Sequence, residues 1–322
     1  MNTKMAFAAR ALLSSIVILY LVTMLDLERI RDVLPKLVVA YIVLAWLFVL
    51  LSTLISAIRW STLLRQVRLV QRVKDSWRFY LVSMFYGVAL PGMIGADIVR
   101  LGMSIKLHGS HHKGTLTAGI LIERACGLFG ILLIFIVMSS QLSAVFRVSA
   151  GFGQTPYVLA VFVCAAFAFC FFMLKTVPQK WFSKESAPQG IFKQLGLLIE
   201  RFRDLSLASV VWILMISIAA HLLDIVASYY LARALHIDVS FYLFLLIVPM
   251  TYVLTALPIS LGGLGVREGI FTFFLTQVGV VVSDAVLLAF LIYINRLAVS
   301  MIGGVIQPLD KNIGKIETSN NG

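Results

Sequence analysis

Two arginines, Arg124 and Arg296, stand inside otherwise apolar runs, in the matching contexts Ile120-x-Ile122-x-Arg124 and Ile292-x-Ile294-x-Arg296. A charge placed in the middle of a hydrocarbon layer costs about 2.5–3.5 kcal/mol on insertion scales, so something must compensate it. A guanidinium is a planar fork of five donors whose geometry suits phosphate. Together with Arg100 and Arg267, the pair points to binding of an anionic, phosphate-bearing group. The competing reading is that Glu123 and Asp224 neutralise Arg124 and Arg296 as buried pairs and nothing binds. Arg100 has a further alternative, since a basic group near a membrane surface can simply face anionic lipid.

Other groups are weaker. Gly92, Gly95, Gly262, Gly263 and Gly265 permit left-handed backbone, and free amides beside them could hold a phosphate, although Gly also serves packing and kinks in membrane helices. His221 and Asp224 lie three apart on one helical face, spaced for a proton relay or for a hydrogen-bonded pair joining helices. His108, His111 and His112 share a short polar stretch with no Cys or acidic cluster to complete a metal site. The acids Asp97, Glu123, Asp224 and Glu268 fall on different segments, which argues against the paired carboxylates of acid–base or metal chemistry. No spacing matches a nucleotide-binding P-loop, and neither a cofactor nor a metal is expected.

The elements that position these residues are set by the solvent. Of 322 residues, 60% are hydrophobic and 13% charged, and the mean hydropathy is +0.97, so lipid is that solvent. Residues 37–57, 115–138, 156–174, 208–232 and 284–306 approach or exceed the roughly 20 needed to cross a bilayer. Residues 11–25 follow Lys4 and Arg10 and lack a small-residue cleavage site, so they read as an uncleaved first helix. The net charge of +12 reflects topology and anionic headgroups better than nucleic acid. Cys126, Cys164 and Cys170 lie in apolar helices and behave as small hydrophobes.

Basic residues crowd two loops, Arg59 to Arg78 and Lys175 to Arg203, which the positive-inside rule assigns to the cytoplasm. The apolar run 79–90 is then too short to cross and breaks at Pro91-Gly92, which predicts a re-entrant hairpin. Residues 241–282 are interrupted at Pro249, Pro258 and Gly262-Gly263-Leu264-Gly265, and charge alone allows a hairpin or two crossings there. The two broken segments align without gaps at an offset of 167 residues, Ala89-Leu90-Pro91 on Ala256-Leu257-Pro258, Gly95 on Gly262, and Val99-Arg100-x-Gly102 on Val266-Arg267-x-Gly269.

The expected fold is an all-α integral membrane protein of about six full transmembrane helices plus two re-entrant broken hairpins in an inverted-repeat arrangement. Residues 1–138 form the first repeat, 139–156 an external linker, 157–306 the second repeat, and 307–322 a cytoplasmic tail. An amphipathic helix near 190–206 lies on the cytoplasmic surface, with Ile191, Leu195, Leu198, Phe202 and Leu205 as its apolar stripe.

With Pro91-x3-Gly95-x-Asp97-x2-Arg100, Glu123-Arg124, and Pro258-x-Ser260-x-Gly262-Gly263-Leu264-Gly265-Val266-Arg267-Glu268, the chain resembles the flippase-like family of bacterial and archaeal membrane proteins, which includes the flippase portion of lysylphosphatidylglycerol synthases. Ala96 departs from that pattern, standing where a second glycine is usual. The resemblance implies transfer of an anionic lipid or isoprenoid-linked glycolipid across the bacterial or archaeal cytoplasmic membrane, both termini inside. It does not carry over synthase activity, because no aminoacyl-transferring domain follows Ile306. The alternatives are a membrane enzyme acting on lipid phosphates or lipid-linked sugars, and an accessory subunit of an envelope lipid or glycan enzyme. Membrane lipids are the expected partners.

Overall fold

The computed structural model describes residues 27–89, 93–139, 206–256, 263 and 265–309. Outside them lie residues 11–25, 156–174 and 310–322, nearly all of the linker and of the surface helix near 190–206, Pro91, Gly92, Pro258, Gly262, Cys164 and Cys170. A short helix α1 (Leu27–Val33) runs through a 3-10 turn (Leu34–Lys36) into α2 (Val39–Gln66). Then come α3 (Val73–Ala89), α4 (Met93–His108), a second 3-10 turn (Ser110–His112) and α5 (Lys113–Ser139). The second half holds α6 (Leu207–Ala234), α7 (Phe241–Ala256), α8 (Val266–Gln277) and α9 (Val282–Leu309). No strand occurs among the described residues.

Helices α2, α5, α6 and α9 are long and apolar enough to cross a membrane. Large apolar side chains such as Leu47, Leu51, Trp212, Met215 and Val305 stay on their outer surfaces, where lipid solvates them. The long helices start and stop for local reasons. Ser206 caps α6 by accepting the Ser209 N–H at 3.1 Å. Helix α2 ends at Gln66 with Val67 as its C-cap, and Arg68 then turns the chain with φ +60°.

Between the long helices sit two pairs of shorter ones. At 17, 16, 16 and 12 residues, α3, α4, α7 and α8 measure about 18–25 Å each, less than a hydrocarbon core of about 30 Å. The two members of each pair pack on one another. In the first, a Cβ at Gly87 would meet the Ala96 Cβ at 2.9 Å, so the absent side chain lets the pair close just beyond its break. The first pair also returns to its starting end, because His108 at the end of α4 is hydrogen-bonded to Gln71 in the loop before α3, at 3.3 Å.

Three details differ from expectation. Helix α3 begins at Val73, six residues before the apolar run, because Lys74, Asp75 and Arg78 take the exposed and half-exposed positions of its first turns. Helix α7 runs through Pro249 without breaking; a proline forfeits one backbone bond, and the buried neighbours on either side hold the helix together. Arg59 is not a loop residue: α2 extends to Gln66, and Arg59 lies buried on its inner face.

The element order repeats, α2, α3, α4, α5 against α6, α7, α8, α9. Helices α2 and α6 run antiparallel along their length. The Val38 amide donates to the Ala234 carbonyl at 3.2 Å at one end, and Arg59 meets Ser217 near the other. The principal contacts keep their identity when the halves are exchanged: α3 packs on α9 as α7 packs on α5, and α5 on α6 as α9 on α2. The loop before α7 adjoins the start of α2, with His236 hydrogen-bonded to the Lys36 carbonyl at 2.9 Å. The loop before α3 lies at the other end of α2, so the two short pairs open at opposite ends of the bundle.

Small residues permit the closest of these contacts. A Cβ at Gly303 of α9 would fall 2.0 Å from the Leu81 carbonyl oxygen of α3, so the two backbones touch there.

Candidate functional site

In the first half the charges close on each other. The Glu123 carboxylate, on α5, receives Arg59 Nε at 3.1 Å, the Tyr80 hydroxyl, and Arg100 Nη1 at 2.6 Å. The last contact is ionic without hydrogen-bond alignment. Arg100 Nη2 also donates to Asp97 Oδ1 at 3.2 Å, and Arg124 donates to the other Asp97 oxygen. The Arg100 guanidinium lies between the rings of Trp60 and Tyr80, 4.8 and 4.4 Å from their centroids. Arg59 Nη1 reaches Ser217 of α6 at 3.0 Å. Side-chain exposure is 4% at Arg100 and 2% at Glu123, so water contributes little and these charges are stabilised by one another, by the Tyr80 and Ser217 hydroxyls and by the flanking rings.

The second half is arranged differently. Arg296 Nη1 donates to the Tyr252 hydroxyl at 2.7 Å, and that hydroxyl donates to Asp224 Oδ2 at 2.6 Å. Asp224 therefore reaches Arg296 through a phenol and not as a direct pair. Arg267 lies over the Tyr293 ring at 5.2 Å, and its buried Nη1 has no hydrogen-bond partner among the described residues. Glu268 is the nearest compensating charge, but its carboxylate is turned to cap α8, accepting the Gly265 amide at 2.6 Å. Gly265 adopts φ +82° to start that helix, a conformation that suits glycine.

Arg267 and Arg296 line a cavity of about 80 Å³ with Asp224, Tyr252, Thr255 and Asn295. One water needs roughly 10–15 Å³ by the same measure, so the space admits several waters or a small oxyanion. Its edge comes close to the break in the hairpin: a Cβ at Gly263 would strike Thr255 Cγ2 at 2.7 Å, so glycine is required where α7 and α8 approach.

Residues 7–304 match the model of the family described as Lysylphosphatidylglycerol synthase TM region. The chain belongs to that family. No curated protein matches it. As a member of the synthase TM-region family with four helices fit to cross a bilayer among the described residues, it is a multi-pass membrane protein.

In this family member the residues singled out by sequence fall into two groups. Arg100, Arg124, Glu123 and Asp97 meet in the first-half network, with Gly95 buried one turn of α4 earlier. Arg267, Arg296 and Asp224 meet at the cavity, while Glu268 and Gly265 build the start of α8 and Gly263 the approach to it. His221 does not bond Asp224; its Nε2 donates to the Gly127 carbonyl at 2.9 Å, joining α6 to α5, and its ring stands edge-on to Tyr252 at 5.4 Å. Gly127 lies beside both networks: a Cβ there would sit in ordinary van der Waals contact with Arg59 Nη1 at 3.5 Å and His221 Nε2 at 3.7 Å. Sequence reading does not anticipate Arg59, Tyr80, Tyr252 or Asn295. Only Asn295 carries a signal, as the residue before Arg296 where Glu123 precedes Arg124.

Proposed function

We propose that the chain moves an anionic, phosphate-bearing lipid, or an isoprenoid-linked glycolipid, between the leaflets of a bacterial or archaeal cytoplasmic membrane without altering it covalently. The observation that carries this reading is the pair Arg267 and Arg296 on one cavity, neither in an ion pair with a carboxylate among the described residues. A headgroup phosphate entering there gains two guanidinium donors and sheds the cost of crossing hydrocarbon as a bare charge. Membership of a family named for a lipid synthase's membrane region supports lipid as the cargo.

The residue ranges 1–138 and 157–306 act as inverted repeats, the two short-helix pairs as re-entrant hairpins, and six helices as full crossings, with both termini cytoplasmic. The antiparallel α2 and α6 and the opposite openings of the two pairs support this arrangement. Transport follows by rocking one repeat against the other while the acyl tails stay in lipid.

The test is transfer of headgroup-labelled phosphatidylglycerol in vesicles containing purified protein. Replacing both Arg267 and Arg296 by alanine lowers the rate about tenfold or more in protein that remains monodisperse. An unchanged rate rejects the reading.

A further inference from the structure

The two halves place arginines in equivalent positions but surround them with different acids. Arg100 and Arg267 are partners in the repeat, as are Arg124 and Arg296. The residue before the intramembrane arginine is Glu123 in the first half and Asn295 in the second; the residue three before the hairpin arginine is Asp97 in the first and Leu264 in the second. Both carboxylates that hold Arg100 thus have neutral residues at the repeat-equivalent sequence positions of the second half. The equivalence is also spatial, because α5 packs on α4 as α9 packs on α8. Asn295 is 5% exposed and lines the cavity beside Arg267 and Arg296.

We infer that the anionic group of the ligand, a phosphate, occupies beside Asn295 the place that the Glu123 carboxylate holds in the first half, and that a neutral side chain at 295 is what leaves Arg267 available to it. The first-half network then displays the liganded geometry with a built-in carboxylate as the anion. An aromatic ring flanks the guanidinium in both halves, Tyr80 and Trp60 at Arg100 and Tyr293 at Arg267. The asparagine amide supplies a donor to a phosphate oxygen where a carboxylate would repel it. Residue 295 is accordingly a specificity determinant, and a single substitution converts the site to one that binds itself.

This rests on the cavity being an anion site and not on transport, so binding is measured alone. The purified full chain is titrated with short-chain phosphatidylglycerol, with inorganic phosphate and with uncharged diacylglycerol, read by calorimetry. The unsubstituted chain and Asn295→Gln bind phosphatidylglycerol within about threefold of one another, whereas Asn295→Glu loses about tenfold or more. Inorganic phosphate competing at the same site assigns recognition to the phosphate itself; phosphatidylglycerol binding without such competition assigns it to the phosphate carried on a lipid, and both support the inference. Equal binding of diacylglycerol overturns it, as does a glutamate variant that binds like the original or a glutamine variant that loses as much as glutamate. Where Asn295→Glu does not fold, Asn295→Asp is held to the same criteria. A chain that binds but transfers no lipid refutes the transport reading and leaves this one standing.

Discussion

Arg100 and Arg267 hold equivalent places in the two halves, yet Arg100 touches two carboxylates, at 2.6 Å from Glu123 and 3.2 Å from Asp97, while Arg267 makes no ion pair among the described residues and lines a cavity. One arginine is held by the architecture, and the other is the one we propose to meet the ligand.

That division predicts opposite responses to the same change. Glu123→Gln takes the carboxylate away from buried Arg59 and leaves Arg100 with Asp97 alone, and removing one partner of a buried pair costs about 3–5 kcal/mol. Thermal melts in detergent should show a large fall. Arg267→Gln removes a charge with no direct partner, so the melt stays close to that of the unsubstituted chain while binding of phosphatidylglycerol is lost. If the two variants melt alike, the division is wrong.

Tyr252 connects Arg296 to Asp224 through one hydroxyl. Tyr252→Phe keeps the ring against His221 and deletes both bonds, leaving an exposed guanidinium and a half-buried carboxylate without their bridge. A loss of about 1–3 kcal/mol of stability is expected, together with slower lipid transfer. Chemical denaturation and the vesicle assay measure the two effects separately.

Two glycines on long or short helices should behave oppositely when given a methyl group. At Gly303 the new carbon meets the backbone oxygen of Leu81, which cannot swing aside, so Gly303→Ala costs about 1–3 kcal/mol. At Gly269, inside α8, nothing lies within 4 Å, and Gly269→Ala stabilises by up to about 1 kcal/mol through helix propensity. Paired melts of the two variants decide this.

His108 lies outside the long apolar helices, at the end of α4, and partial burial together with the neighbouring His112 holds its proton affinity below the ordinary value of 6.5. The folded chain therefore prefers the neutral ring. Its contribution to stability is complete above pH 6.5 and is lost as pH falls from there through the lowered value. His108→Gln should flatten that part of the stability profile; an unchanged profile would place the titrating group elsewhere.

The sequence carries the long helices plainly, because a run of about 20 apolar residues has few alternatives to crossing a membrane. The division into two pairs of short helices is legible from Pro and Gly in register across two segments. Charge partners are much less so. Arg59 lies two residues past an apolar window that ends at Ala57, and only the folded bundle reveals that α2 continues to Gln66 and turns that arginine inward onto Glu123. The competing reading, a pairing of Glu123 with Arg124, fails for a helical reason: consecutive residues point about 100° apart, so Glu123 faces Arg59 and Arg100 while Arg124 faces Asp97. Tyr80 and Tyr252 give no local hint, since a tyrosine in an apolar helix resembles any other ring facing lipid.

The cross-packing of α3 on α9 also bears on how the chain is made. While α9 is still within the ribosome, the Leu81 carbonyl and the surface around it have no cover, and lipid cannot substitute for the close backbone contact that Gly303 supplies. The pair α3 and α4 is thus finished by a helix made long after it. Biogenesis must keep an incomplete half in the bilayer until α9 emerges, and a truncation just before residue 303 would leave an early-synthesised part of the molecule unfinished.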